Sequence, residues 1–191
     1  TGSNGERKQI ALVVYMDDLL VRVKLDCPET KKKYDAFVAD MQQTFAVEDR
    51  DNCDHMLGYK IDYDKKLGLL KLTQKSCLLA LLARTGHDDS TAKQTPCSPN
   101  IKPHISWCPD LTTPEEKAEI KWMKEKDYPN RVGAGLWLAR GSKPEISWTV
   151  GMMSRFLTNP GRKHWEMLEH LLKYLSTTRD RGLVYRRQKG P

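Results

Sequence analysis

Two neighbouring acids, Asp17 and Asp18, stand between the apolar runs Ile10 to Tyr15 and Leu19 to Val23. Like charges about 4 to 5 Å apart repel by roughly 1 to 4 kcal/mol, depending on the effective dielectric. A plain two-residue turn would favour Asn-Gly or Asp-Gly, which accept positive φ, and no glycine is present here. A divalent cation turns the repulsion into attraction, and two magnesium ions about 3.5 to 4 Å apart are what nucleotidyl-transferring sites use to activate a hydroxyl and stabilise departing pyrophosphate. The chemistry these residue types suit is therefore metal-assisted phosphoryl transfer, set against the simpler reading of an exposed Asp-Asp turn.

The elements that must position the pair follow from patterning. The two β-branched runs read as a hairpin with both arms largely buried and the acids at its tip. Pro28 opens a helix whose stripe is Tyr34, Phe37, Val38, Met41 and Phe45, with the solvated triplet Lys31, Lys32 and Lys33 near its start. A second hairpin is predicted over Met56 to Tyr63 and Leu67 to Leu72, turning at Asp64-Lys65-Lys66 with Gly68 just beyond. Thr73 is placed to cap the next helix, with Cys77, Leu78, Leu81 and Leu82 as its core stripe and Gly86 as its stop. The Pro-rich stretch from His87 to Pro109 reads as a linker. Thr113-Pro114-Glu115-Glu116 has the form of a capping box, and three more helices are predicted over Pro129 to Arg140, Pro144 to Thr158 and Gly161 to Thr177. Their stripes are Val132, Leu136 and Trp137, then Ile146, Val150, Met153 and Phe156, then Trp165, Leu168, Leu171, Leu172 and Leu175. Leu183-Val184-Tyr185 reads as a last short strand. The fold class is α+β.

Composition narrows the partners. A net charge of +7 favours a polyanionic partner over an acidic-surface-seeking small substrate. The five cysteines are odd in number, scattered and without a C-x-x-C pair, which fits a reducing, intracellular setting and incidental thiols. Cys97 and Cys108 with His87 and His104 match no familiar metal spacing. The longest apolar stretch, Ile10 to Met16, falls far short of the roughly 20 residues of a membrane helix. Residues 1–9 are polar, lack an initiator Met and read as a disordered start to an excised or processed piece.

Motifs in order along the chain carry a resemblance. Tyr15-Met16-Asp17-Asp18 resembles the Y-x-D-D motif of reverse transcriptases. Phe45-Ala46-Val47-Glu48 followed by Leu57-Gly58-Tyr59-Lys60-Ile61 is similar to the F-x-M … F-L-G-I-x-I stretch of the copia-type branch. Leu72-Thr73-Gln74-Lys75, Thr95-Pro96, Tyr128 to Gly133, Leu136 to Ala139, Lys143 to Ile146, Ser154-Arg155-Phe156, His164-Trp165 and Leu172 to Leu175 continue that pattern in the same order. The departures are Met56 where Phe is usual, Lys143 where Arg is usual, and Gly141-Ser142 where Thr is common.

The resemblance implies the central part of an RNA-directed DNA polymerase of a copia-type LTR retrotransposon polyprotein. It implies a partial palm over 10–72, a thumb-like helix and Pro-rich loop over 73–112, and a helical connection region over 113–191. Asp17 would be the main ligand of Mg2+ (or Mn2+) and Asp18 the second acid. Met16 would lie by the primer terminus and incoming dNTP, with Tyr15 packed beneath. Leu57, Gly58 and Tyr59 would form the primer grip, with Gly58 letting backbone approach the strand. Lys71, Lys75 and Arg84 would touch phosphates of an RNA or DNA template-primer, positioning it without reading bases. The implied partners include the rest of the polyprotein: fingers and upstream palm with a further metal-binding aspartate, and a ribonuclease H domain. The isolated chain is accordingly expected not to polymerise. The competing expectation is a non-catalytic nucleic-acid-binding remnant of such an element.

Overall fold

Burial is unevenly shared along this chain, and the unevenness organises the architecture. The computed structural model describes residues 10–23, 26–50, 53–87, 91–110 and 112–187, so the expected disorder of residues 1–9 lies outside the described residues. The chain divides between Met56 and Leu57 into two compact units. Together they contain antiparallel sheet and helices, an α+β protein as the patterning predicts.

In the first unit, β1 (Ala11–Tyr15) pairs antiparallel with β2 (Asp18–Arg22), and the register Tyr15↔Asp18 leaves a two-residue turn, Met16-Asp17. Helix α1 (Pro28–Thr44) starts with Pro28 in its first turn, where a missing N–H costs nothing, and the two-residue strand β3 (His55–Met56) ends the unit. Tyr34, Phe37, Val38 and Met41 are half-buried, whereas Phe45, expected on the same stripe, caps the helix in extended conformation and is exposed. The expectation that both hairpin arms are largely buried fails. Leu12, Val13, Val14 and Tyr15 are all exposed, because a two-stranded ribbon has two faces and one free edge per strand, and no layer covers β1 among the described residues.

The second unit holds the core. A sheet of β4 (Tyr59–Asp64), β5 (Leu69–Thr73) and β6 (Leu183–Arg186) is antiparallel throughout, with Ile61↔Leu72 and Leu72↔Leu183 in register. The β4–β5 turn is tied by the Asp64 carboxylate, which accepts from the N–H groups of Lys66 at 2.8 Å and Leu67 at 2.9 Å. The strand expected from Met56 to Tyr63 is interrupted, because Leu57 and Gly58 both take positive φ. The helices are α2 (Lys75–Thr85), α3 (Pro114–Glu125), α4 (Tyr128–Arg140), α5 (Ser147–Met153) and α6 (Arg162–Thr177). The helix predicted over Pro144 to Thr158 is therefore a single short α-helix flanked by 3-10 turns at Pro144–Ile146 and Ser154–Phe156.

Local signals explain most ends. Gly86 closes α2 in the left-handed region at φ 68°. Thr113 and Glu116 form the expected reciprocal box, and the hydrogen bonds from Thr112 and Thr113 hold the Glu116 carboxyl at a pKa of about 2. Thr73, however, does not cap α2. It ends β5, and Gln74 takes the cap position with its side chain turned elsewhere. The Gln74 Oε1 accepts from the Ser142 N–H at 2.8 Å, which draws the α4–α5 connection onto the start of α2. A Cβ at Gly141 would lie 2.1 Å from that oxygen, so only glycine permits this approach.

The stripes of α2, α5 and α6 assemble the core: Leu78, Leu81, Leu82, Ile146, Val150, Met153, Trp165, Leu168, Leu171, Leu172 and Leu175 are all buried. Trp137, expected in the core, is 47% exposed, since the neighbouring Leu138 takes the inward position of α4. The Pro-rich segment lies along α6 instead of hanging free: His170 bonds Ser98 Oγ at 3.1 Å and the Thr95 carbonyl at 2.9 Å, and Lys93 N–H donates to Thr177 Oγ1. Both ends of α6 are fixed by buried polar groups. Lys143 is buried and donates through Nζ to the carbonyl of Thr178, a cation placed at the helix C-terminus; burial pushes its pKa down.

At the other end of α6, fully buried His164 accepts the Gly161 N–H through Nδ1 at 3.0 Å and stacks on Phe156 at 4.3 Å. Burial lowers its pKa from 6.5 to about 4, and only the neutral ring can accept at Nδ1. As pH falls, the unfolded chain therefore takes up this proton first. The stabilising contribution is complete above pH 6.5 and is lost as pH drops toward 4. Urea unfolding followed by tryptophan fluorescence is expected to show a loss of about 2 kcal/mol between neutral pH and pH 5 from this group. In His164→Asn, whose side chain can still accept the N–H, that slope should be absent.

Candidate acidic site at the hairpin tip

The register of β1 and β2 decides where the acids stand. With Tyr15 paired to Asp18, Met16 is forced into the first turn position at φ 50°, a region that costs a side-chain-bearing residue about 1 kcal/mol or more. Asp17 is the second turn residue and Asp18 the first of β2, so one carboxylate sits on the turn and the other on the ladder. Both are exposed, and neither has a hydrogen-bond or ion-pair partner among the described residues. Met16 is 82% and Tyr15 51% exposed, and no layer covers the ribbon there among the described residues, so Tyr15 does not pack beneath the pair as the resemblance implied.

Asp17 and Asp18 form the rim of a cleft of about 680 Å³ whose walls are β2, α1 and residues 46–50 and 53–56. The Tyr34 hydroxyl donates to Asp49 Oδ1 at 2.7 Å, joining the segment after α1 back to the helix. Lys31 and Arg50 are cations of this lining. The Arg50 guanidinium donates to Glu48 at 2.9 Å, and its pKa is raised first by that carboxylate and then by Asp54 and Asp18. The Cys53 thiol is pushed up by burial, then by Asp54 and Asp18. Arg50 thus shares the field of Asp18, a proximity that sequence reasoning missed and that no local spacing signals.

Two carboxylates without protein partners suit a hard divalent ion, which takes one or two such groups and completes its shell with water and phosphate oxygens. No set of three His, Cys, Asp or Glu side chains able to hold a metal gathers among the described residues, so the Cys97, Cys108, His87 and His104 grouping does not form.

The other predicted residues belong to the second unit. Gly58 takes φ 77° with no atom within 4 Å of an added Cβ, so within this chain its glycine serves the backbone conformation and leaves open space outside it. Leu57 is partly exposed and Tyr59 half-buried, its hydroxyl near Gly141. Lys71, Lys75 and Arg84 do not form one patch. Lys75 pairs with Asp180 at 2.5 Å and Lys71 adds its field to the same carboxylate, whereas Arg84 lies within the field of Arg131.

No helix of the described residues is long and apolar enough to cross a membrane. No family model matches the chain, and no solved structure does. Curated proteins do. The chain is 31% identical over 173 residues to the retrovirus-related Pol polyprotein from transposon TNT 1-94 of Nicotiana tabacum, covering 91% of this chain and 12% of that protein. It is 29% identical to a transposon Ty5-1 protein of Saccharomyces cerevisiae, covering 93% of this chain and 52% of that one. It is 28% identical to the retrovirus-related Pol polyprotein from transposon RE1 of Arabidopsis thaliana, covering 93% of this chain and 11% of the polyprotein. The chain thus spans between about a tenth and a half of the length of these relatives.

Replacing Gly58 by alanine should destabilise the second unit by about 1 kcal/mol through φ alone, since nothing crowds the new methyl. Urea unfolding by tryptophan fluorescence reads that unit selectively, because all five tryptophans lie within it. A loss several times larger would reveal a clash that this backbone does not contain.

Proposed function

We propose that this chain, a relative of the Pol polyproteins of copia-type retrotransposons over more than nine-tenths of its length, carries the aspartate hairpin of their RNA-directed DNA polymerase. The observation that carries the reading is the state of Asp17 and Asp18. They are held by a strained turn in the lining of a cleft, exposed and with no hydrogen-bond or ion-pair partner among the described residues, and Arg50 lends only its field to Asp18. A site of this kind has a reason to exist if a cation and a polyphosphate enter it.

In that reading Asp17 and Asp18 hold Mg2+ or Mn2+, with a further aspartate supplied by another part of the polyprotein. When bound, the metal supplies Lewis-acid stabilisation of the transferring phosphoryl group and lowers the pKa of the primer hydroxyl. The rest falls to side chains of this chain. Met16, 82% exposed on the turn, lies against the primer terminus and incoming dNTP, and Tyr15 flanks it. Leu57, Gly58 and Tyr59 hold the primer strand, the open space outside Gly58 admitting its backbone. Of the three basic residues, Arg84 is the exposed one not engaged by a carboxylate, whereas Lys71 and Lys75 must share Asp180 with any phosphate. Template-primer, dNTP, fingers, upstream palm and ribonuclease H are the partners of this scheme.

Primer extension on an RNA template tests it in two arms. The 191-residue chain with Mg2+ or Mn2+ should give no templated extension. A longer Pol polyprotein containing this segment should extend, and Asp17→Asn within it should lower the rate at least about a hundredfold by removing a metal ligand. Unchanged extension by that variant refutes the assignment. The second reading, a non-catalytic nucleic-acid binder, is favoured by the +7 charge; it predicts a polyprotein inactive from the outset and a chain whose binding ignores Asp17→Asn.

A further inference from the structure

The second unit carries a row of cations, Arg162, Lys126, Arg131 and Lys163, to which the polymerase reading assigns no role. On α3, α4 and α6 they alternate with indole rings. The Arg162 guanidinium lies 4.7 Å from the Trp122 ring, Lys126 Nζ lies 5.1 Å from Trp122 and 5.5 Å from Trp165, and the Arg131 guanidinium lies 4.8 Å from Trp165. Trp122 and Trp165 meet edge to face at 5.9 Å, so neighbouring cations in the row share a ring. Lys163 extends the row over Trp107 at 5.7 Å. Arg84 adds its charge beside Arg131.

None of these cations forms an ion pair with a carboxylate among the described residues. Of the nearby acids, Glu119 accepts the Arg162 backbone N–H at 2.6 Å and Asp127 accepts the Asn130 amide at 2.6 Å, while Asp127 and Glu169 reach Arg131 through their fields alone. Each cation-ring contact returns about 0.5 to 1 kcal/mol at an exposed site, comparable to the repulsion between neighbouring charges in water. The rings therefore make the crowding tolerable without neutralising it. They also limit the freedom of the cations: a guanidinium held against an indole loses less entropy when it pairs with two oxygens of one phosphate. Trp165 is buried and Trp122 half-buried beneath their cations, so these rings serve as platforms for charge and not for stacking bases.

We infer that the Arg162–Lys126–Arg131 row, extended by Lys163, is a binding site for the sugar-phosphate backbone of a nucleic acid, gripping it independently of base sequence. A row of oriented cations suits a partner whose charges repeat regularly along a strand better than a single phosphate or carboxylate. The inference rests on the proposed polymerase role only for the origin of the nucleic acid, since the site itself involves no residue of the hairpin tip.

Fluorescence anisotropy with a labelled random-sequence RNA–DNA hybrid, titrated against NaCl, tests the site on the full chain. Replacing Arg131 and Arg162 together by glutamine should flatten the plot of log affinity against log salt by about 2, alike on every sequence. Lys65→Gln with Lys66→Gln, which removes equal charge at the β4–β5 turn, should leave the slope unchanged. The readout is salt-dependent binding and not primer extension, so failure of this site and failure of the polymerase reading are separate outcomes. If near-UV circular dichroism shows the arginine pair misfolded, Lys126→Gln with Lys163→Gln replaces it with the same expected flattening. An unchanged slope, an equal loss in the turn control, or equally tight binding of poly-glutamate lost in the same variants would each overturn the inference.

Discussion

The apolar stripe of α6 is the constraint on which the second unit depends. Trp165, Leu168, Leu171, Leu172 and Leu175 are buried against α2, α3 and α5, and each such side chain contributes about 1.5 to 3 kcal/mol of burial free energy. Because the stripe can face only one way, the helix ends are fixed too, and both ends enlist polar groups at positions where water is excluded. His164 serves the N-terminal end as a neutral acceptor. Lys143 serves the C-terminal end as a desolvated donor. A core that buries a neutral histidine and a lysine commits the protein to a pH range in which neither has to change its charge.

The first unit is built on the opposite terms. Its one buried residue among those described is Thr30, and its apolar side chains are half-buried at best or exposed along β1. Geometry at the acid pair therefore comes from backbone hydrogen bonding, through the two-residue turn and its register, more than from packing. That gives precise placement of Asp17 relative to Asp18, while leaving the ribbon as a whole dependent on whatever covers its open face. The two units thus divide the labour: one holds its shape by burial, the other presents charge on a thin frame.

Much of this could be read from residues close in the chain. The helical spacing of the α6 stripe, Gly86 as a left-handed stop, the Thr113–Glu116 box and the turn at Asp17 each depend on neighbours within a few positions. What escaped reading depends on distant ones. Thr73 has the composition of a cap, but the cap position fell to Gln74 because Ser142, 68 residues away, claims its side chain. The run from Met56 to Tyr63 alternates like one strand, yet the positive φ of Leu57 and Gly58 breaks it. Trp137 and β1 look apolar enough for a core, and exposure there is a fact about which layers exist, not about residue type. The pairing of cations with tryptophans across α3, α4 and α6 is likewise invisible to spacing.

The central place of β5 in the sheet has a consequence for how the protein is made. One neighbour, β4, is adjacent in sequence and can pair as soon as both leave the ribosome, but the other, β6, lies beyond all the helices. Until translation delivers β6, the newborn hairpin carries a bare row of amide and carbonyl groups along one side, open to the same edge of another nascent copy. Helices α2 to α6, rich in local contacts, can form within that interval and bring Leu183 back to Leu72, so prompt helix assembly is what guards the sheet against pairing with a stranger.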